Sequence, residues 1–255
     1  MLPFARALGG GYAAALPAGG FDFGVPGVTS MSVDTHKYGY APKGTSVLLF
    51  RDAARRSAAY FAYPEWTGGL YTTPTIAGSR NGAVIAGAWA SLVSLGHDGF
   101  VARTRKILDE VLLIAEGIGA MPQLRLIGAR DSGAGFATPA AMIVCFDCAP
   151  PAAPGAKALS VYRVNDLMAK RGWSLNALQN PPCVHLCATV RTVGVGKRFL
   201  KELAECVAAA EDEVAGAPAG SSTDSCAAIY GLASSMPSGP VSDVLRLYTD
   251  ITLRA

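Results

Sequence analysis

Apolar runs along the chain alternate with stretches rich in glycine and proline, and their lengths predict a mixed α/β fold. The β-branched run at residues 25–33 and the run at residues 46–50 predict two core strands. Gly39, Pro42 and Gly44 lie between these runs and predict a loop. Because rigid strands flank it, this loop is a suitable place for functional side chains.

Two helical patterns follow the strands. Residues 83–95 are apolar and rich in alanine, which predicts a buried helix. Residues 98–120 carry apolar side chains at helical spacing, and they predict a long helix that leaves the first domain. The aromatic segment at residues 60–66 is interpreted as packing beneath a loop.

The rest of the chain predicts a second, α+β domain. The elements expected there are strands at 124–127, 140–146 and 184–190, and helices at 159–171, 194–214 and 241–253. Gly172 is positioned to end the first of these helices, and residues 216–224 have the composition of a linker. We therefore predict one domain at residues 1–120 and another at residues 121–255.

Composition narrows the possible functions. The chain has 255 residues, of which 51% are hydrophobic and 16% charged, so it can bury a sizeable core. Its net charge of +3 is too small to indicate a nucleic acid partner or an anionic membrane surface. The longest apolar runs are shorter than the roughly 18 residues of a transmembrane helix, and we expect no membrane segment in this chain. The stretch that begins at Met1 lacks a convincing signal-peptide core and is interpreted as part of a domain.

The six cysteines include the pair Cys145 and Cys148, which has the spacing of a zinc or redox motif. The pair ends a predicted strand, where residues three positions apart point to opposite faces. We therefore expect buried, reduced cysteines and no metal site.

Lys37 is the candidate nucleophile of the loop. A lysine beside a strand end and near a second cation, Lys43, experiences desolvation and repulsion that favour the neutral amine. A neutral amine can attack a carbonyl carbon and form a Schiff base. From composition alone, however, solvated loop lysines are the better interpretation of both residues.

The order of residues around Lys37 favours a catalytic role for this lysine. The sequence Asp-Thr-His-Lys-Tyr-Gly at residues 34–39 resembles the pyridoxal-phosphate lysine motif of the aspartate-aminotransferase-like (fold type I) decarboxylases and lyases. The continuation Ala-Pro-Lys-Gly-Thr at residues 41–45 resembles the sphingosine-1-phosphate lyase family in particular. The resemblance implies that Lys37 carries the cofactor, that His36 helps to hold its phosphate and that Lys43 contacts the phosphate of the substrate.

Three further segments carry the same resemblance in the expected order. Gly-Ser-Arg at residues 78–80 precedes a helix, and such a turn suits an anion. The family resemblance implies that Ser79 reaches the cofactor phosphate of a partner subunit in a homodimer. Two later parts of the family are similar to segments of this chain. One segment is residues 170–185, which contain Gly-Trp and Pro-Pro-x-x-His, and the other is residues 229–233. Taken alone, His185 would be interpreted as a strand histidine with its hydrogen bonds satisfied.

The resemblance implies a C-terminal portion only, with a truncated large domain. Residues 2–6 resemble a point within the large domain of the family, beyond the aspartate that pairs with the pyridine nitrogen, the stacking histidine and the phosphate-binding turn. The expected parent function is a pyridoxal-phosphate-dependent aldehyde-lyase that cleaves long-chain sphingoid base 1-phosphates to a fatty aldehyde and phosphoethanolamine. We expect this chain to be incomplete and weakly active or inactive.

Two alternatives remain open. One is a pyridoxal-phosphate-dependent amino-acid decarboxylase, and the other is a non-catalytic fragment or partner subunit. For full-length eukaryotic members, the resemblance implies a location at the endoplasmic reticulum membrane, facing the cytoplasm.

Overall fold

The computed structural model describes residues 22–128, 130–131, 137–138, 142–151, 158–216, 230 and 236–253. Its contacts divide the chain into two compact units, Met1–Arg105 and Lys106–Ala255. The mixture of helices and sheets agrees with the expected fold class. The predicted domain boundary after residue 120 stays a prediction.

The first unit contains two small antiparallel sheets. Its elements are β1 (Ser30–Val33), β2 (Val47–Phe50), α1 (Ala53–Ala58), β3 (Phe61–Tyr63) and β4 (Tyr71–Thr73). Strand β1 pairs with β2 so that Val33 lies opposite Val47, and β3 pairs with β4 as a hairpin. The two strands predicted around the lysine loop are thus confirmed.

The first strand begins later than its apolar run. Residues 22–28 form turns, and the Arg51 guanidinium holds them by donating to the carbonyl oxygens of Val28, at 2.6 Å, and Val25, at 2.9 Å. The prediction that β1 and β2 are core strands is wrong within the first unit, because Val33, Leu48 and Leu49 are exposed. An apolar pattern predicts a strand without specifying which layer covers it.

Helix α2 (Gly82–Gly119) contains both predicted helices, with a break between them at Gly96. Gly96 has φ 58° and ψ −178°, a backbone conformation that is not helical and that kinks the chain between the two helices. The part after the break is buried through residues such as Ile107 and Val111. The part before it was predicted to be buried, and that prediction is wrong: Trp89 is 67% exposed and Val93 is also exposed.

By length and composition, α2 could also cross a membrane, since an 18-residue window reaches a mean hydropathy of 1.2. The sequence had not predicted such a segment. Core helices of enzymes pass the same test, so this observation is weak support for a span.

The second unit is built on a four-stranded antiparallel sheet in the order β5-β8-β10-β9. Its elements are β5 (Leu124–Leu126), β6 (Arg130–Asp131), β7 (Ala137–Thr138), β8 (Ile143–Cys148), α3 (Val161–Lys170), β9 (Asn176–Leu178), β10 (Cys183–Cys187), a 3₁₀ turn (Val190–Thr192), α4 (Gly196–Gly216) and α5 (Ser238–Thr252). Helix α3 packs against α4 and β10. One sheet face supplies Val144, Phe146 and Val184 to the core.

Side chains of β8 alternate between the core face and the opposite face. Cys148 is buried on the core side, whereas Cys145 is half-buried on the other side. Burial raises the pKa of each thiol to about 12, so both stay protonated. The prediction that this pair points to opposite faces is confirmed.

Several predicted features of the second unit lie partly outside the described residues. Gly172 has φ 87° and follows α3, as predicted. Of the predicted linker at 216–224, only Gly216 is described, and of the segment 229–233 only Tyr230, whose ring stacks on that of Tyr162 with centroids 5.2 Å apart. Helix α5 matches the predicted final helix, and its apolar residues from Val244 to Ile251 are exposed.

A buried carboxylate ties α2 to the start of α4. Glu110 accepts hydrogen bonds from the backbone N–H of Gly194, at 2.8 Å, and from that of Gly196. These N–H groups lie at the positive end of the α4 dipole, where a carboxylate is favourable. Glu110 therefore satisfies donors that have no partner within the helix.

We predict that Glu110→Ala lowers the free energy of unfolding by about 2 kcal/mol, because it leaves the buried Gly196 N–H and the part-buried Gly194 N–H without an acceptor. Glu116→Gln is the matched control, since Glu116 is an exposed residue on the same helix. Urea unfolding measures the free energy of unfolding of both variants. Equal stabilities for the two variants would contradict the role of Glu110.

Candidate active site in the lysine loop

A network of threonine hydrogen bonds closes the lysine loop, which we define as residues 34–46. The buried Thr35 hydroxyl donates to the buried Thr45 hydroxyl at 2.8 Å, and Thr45 donates to the Pro42 carbonyl oxygen at 3.0 Å. The Ala41 N–H donates to the Thr35 carbonyl oxygen at 3.1 Å. Both ends of the loop are therefore held by bonds made inside it.

Backbone turns place Lys37 on this loop. The Lys37 N–H donates to the Asp34 carbonyl oxygen at 3.1 Å, and the Tyr40 N–H donates to that of Lys37 at 3.2 Å. Tyr40 has φ 55°, a left-handed conformation that is uncommon outside glycine. A Cβ at Gly39 would collide with the Thr35 carbonyl group, so only glycine fits there.

The ring of His36 is held by the opposite end of the loop. Its Nδ1 lies 2.7 Å from the Thr45 carbonyl oxygen, which can only accept, so Nδ1 carries a proton. In the neutral ring this leaves Nε2 as the acceptor. The backbone thus selects the tautomer of His36.

Lys37 has a different environment from the one predicted. Its side chain is 66% exposed, and Nζ lies 2.9 Å from an Asp34 carboxylate oxygen. The expected desolvation is therefore wrong for this structure, because the amine is solvated and faces an anion. The ion pair with Lys37 lowers the pKa of Asp34. Lys43 is exposed and has no ion pair within the described part of the chain.

Helix α2 supports the loop from one side, with residues that lie before and after the break at Gly96. The Ser91 hydroxyl donates to the Gly39 carbonyl oxygen at 2.8 Å. The Tyr40 ring stacks on that of Phe100 with centroids 6.1 Å apart, and the Arg103 guanidinium lies 4.7 Å from the Tyr40 centroid. Burial raises the pKa of Tyr40. These contacts fix the loop beyond its own hydrogen bonds.

The predicted turn at residues 78–80 is held by Arg80. Its Nη1 donates to the Thr73 hydroxyl at 3.3 Å and to the carbonyl oxygens of Ala77 and Gly78, each at 3.2 Å. The adjacent Asn81 side chain caps α2 by accepting from the Ala83 N–H at 3.0 Å. Ser79 is exposed, and within the described residues it forms no hydrogen bond with Lys37, His36 or Lys43.

An aromatic cleft on the β3–β4 hairpin was missed in the sequence. Phe61, Tyr63, Trp66 and Tyr71 line a cavity of about 240 Å³. The Trp66 and Tyr71 rings meet edge to face with centroids 5.7 Å apart. These side chains are exposed, which corrects the interpretation that they pack beneath a loop. Two aromatic residues at alternate positions of β3 were the available signal.

His185 also differs from its predicted state. It lies opposite Cys145 in the sheet, and its Nδ1 is buried without a hydrogen-bond partner among the residues with described positions. The interpretation of a satisfied strand histidine is therefore wrong in this structure.

We predict that Gly87→Ala disturbs the lysine loop, because a Cβ at Gly87 would lie 2.7 Å from Cγ of Pro42. Overpacking of this kind costs about 1–3 kcal/mol and outweighs the gain of roughly 1 kcal/mol for alanine in a helix. Gly82→Ala is the control, since a Cβ there meets nothing within 4 Å. Thermal unfolding should rank Gly87→Ala below Gly82→Ala, and the reverse order would contradict this packing.

Comparison with known proteins identifies relatives over most of the chain. No family model matches. The chain is 43% identical to sphingosine-1-phosphate lyase of Arabidopsis thaliana over 251 residues, which are 98% of this chain and 41% of that protein. It is 42% identical to the Dictyostelium discoideum lyase and covers 37% of it. The chain thus spans about two fifths of the length of these curated relatives.

Solved structures give the same result. The Burkholderia pseudomallei sphingosine-1-phosphate lyase has 41% sequence identity and a TM-score of 0.69, with 82% of this chain and 42% of that chain covered. Glutamate decarboxylase of Lactobacillus brevis shares only the fold, at 18% identity, a TM-score of 0.57, and coverage of 77% of this chain and 43% of that chain. This chain is a homologue of the sphingosine-1-phosphate lyases over part of their length.

Proposed function

We propose that this chain forms the lysine-bearing part of a pyridoxal-phosphate-dependent lyase that cleaves sphingoid base 1-phosphates to a fatty aldehyde and phosphoethanolamine. The similarity to sphingosine-1-phosphate lyases supports the substrate class. The observation that carries the proposal is the accessible Lys37 amine on a loop closed by the Thr35–Thr45 hydrogen bond.

The residues of the loop fit the cofactor. Lys37 would hold it covalently, since its amine is exposed and the turn beneath it is fixed. His36 would approach the cofactor phosphate, and the bond of its Nδ1 to Thr45 orients the ring for that contact. When bound, the cofactor supplies an electron sink for the carbanion left by bond cleavage.

Lys43 would bind the phosphate of the substrate. Its ammonium is exposed and has no ion pair in the described residues, so its charge is available to an anion. A compact ammonium group binds phosphate as a point charge. Lys43 and Lys37 lie on the same closed loop, which would fix the substrate phosphate relative to the reacting amine.

Assembly and location belong to the same proposal. Ser79 would serve the cofactor phosphate of a partner subunit in a homodimer, which agrees with its exposure on the turn held by Arg80. For a full-length eukaryotic protein we propose the cytoplasmic side of the endoplasmic reticulum membrane, on the basis of the family alone.

An amino-acid decarboxylase is the second candidate, because the family resemblance gives decarboxylases of this fold the same His36-Lys37 order. The two reactions differ in their products, since a lyase releases a fatty aldehyde and a decarboxylase releases carbon dioxide. Incubating a longer protein that contains this chain with a sphingoid base phosphate, and separately with amino acids, distinguishes them. Carbon dioxide without aldehyde would refute the lyase proposal.

We predict that borohydride reduction of a full-length protein that contains this chain, loaded with pyridoxal phosphate, attaches the cofactor to Lys37, because Lys37 occupies the lysine position of the family motif at residues 34–39. Peptide mass spectrometry locates the label. Lys37→Ala should lose most of it, and Lys43→Ala should retain it as the matched control. Label on Lys43 with none on Lys37 would refute the assignment.

A further inference from the structure

Asp34 and Lys37 form an ion pair on a turn that the backbone fixes. Lys37 Nζ lies 2.9 Å from Asp34 Oδ2, and the Lys37 N–H donates to the Asp34 carbonyl oxygen at 3.1 Å. Thr35, the next residue, is buried and anchored to Thr45. The carboxylate is therefore presented to the amine by a fixed segment of the loop.

The surroundings of the Asp34 carboxylate favour its charged form on balance. Lys37 lowers the pKa of Asp34 most, partial desolvation opposes this effect, and the Ser46 hydroxyl and the His36 ring lower the pKa further. Together they lower the pKa of Asp34, so the pair persists down to the pH at which this carboxylate takes up a proton. Lys37 thus faces an anion throughout the neutral range.

We propose that Asp34 is a positioning residue that holds the Lys37 ammonium, and that the amine must leave this carboxylate before it attacks a carbonyl carbon. The inference rests on the proposed function of Lys37 as the cofactor lysine. Asp34 then sets how readily the amine reacts and which direction it points before the carbonyl compound arrives.

The chemistry shows why release is required. The ammonium first gives one proton to solvent, which frees the nitrogen lone pair. That lone pair bonds to the carbonyl carbon, and the carbonyl oxygen leaves as water with the two remaining nitrogen protons. A carboxylate beside the nitrogen opposes the first step, because it stabilises the charged amine.

We predict that Asp34→Asn raises the reactivity of Lys37 towards formaldehyde about 2-fold at low salt, the size expected for an exposed ion pair. The measurement is reductive methylation with formaldehyde and cyanoborohydride, read by peptide mass spectrometry as the ratio of Lys37 to Lys43 modification. Lys43 serves as the internal reference because it lies on the same loop. Asp34→Glu, which keeps the charge, should stay close to the unsubstituted chain.

Asp52→Asn is the matched control, since Asp52 pairs with Arg55 at the same three-residue spacing and contacts neither lysine. The effect of Asp34→Asn should shrink in about 1 M salt, which screens exposed pairs. In the unsubstituted chain, added salt should by itself raise the ratio of Lys37 to Lys43 modification. This part of the test does not depend on the folding of any variant.

An unchanged or lower ratio in Asp34→Asn, or an equal rise in Asp52→Asn, would overturn the inference. A rise that survives high salt would also overturn it, because it would indicate a changed loop structure. The borohydride experiment with pyridoxal phosphate tests the proposed function separately. Absence of label on Lys37, together with a formaldehyde ratio that responds to Asp34, would refute the function and retain the ion pair.

Discussion

The buried hydrogen bond between the Thr35 and Thr45 hydroxyls is the interaction on which the lysine loop depends. Thr45 also donates to the Pro42 carbonyl oxygen and accepts from His36 through its own carbonyl group. One threonine therefore joins three parts of the loop. Because each of these bonds is within the loop, the position of Lys37 does not depend on burial of the lysine itself.

This independence explains how a fixed loop coexists with exposed strands. Strands β1 and β2 expose apolar residues such as Val33 and Leu48, yet the loop between them is held by hydrogen bonds and by the Tyr40 ring against Phe100. In the second unit the corresponding device is Glu110, a buried carboxylate that binds two backbone N–H groups. In both units, hydrogen bonds fix the backbone conformation at a place where hydrophobic packing alone would not specify it.

Periodicity predicted most elements of the fold, and motif order predicted the residues of the candidate site. Periodicity could not predict burial, because burial depends on which layer covers a face. Residues 83–95 have the pattern of a buried helix, but Trp89 is exposed. The environment of Lys37 was also missed. Asp34 lies three residues before it, and only the turn defined by the Lys37 N–H bond reveals that the two side chains meet. The same limit applies to His185, whose unpaired Nδ1 depends on its neighbours across the sheet.

The two lysines of the loop have opposite electrostatic surroundings, and this difference suits the two roles proposed for them. A lysine that binds a substrate phosphate works only while charged, and Lys43 is exposed to solvent without a competing carboxylate among the described residues. A lysine that forms a covalent bond must become neutral, and Lys37 is held by a carboxylate that is itself 39% exposed. Since solvent screens such a pair, the pair can orient the amine at a small energetic cost of release. A buried partner would orient it equally well and release it far less readily.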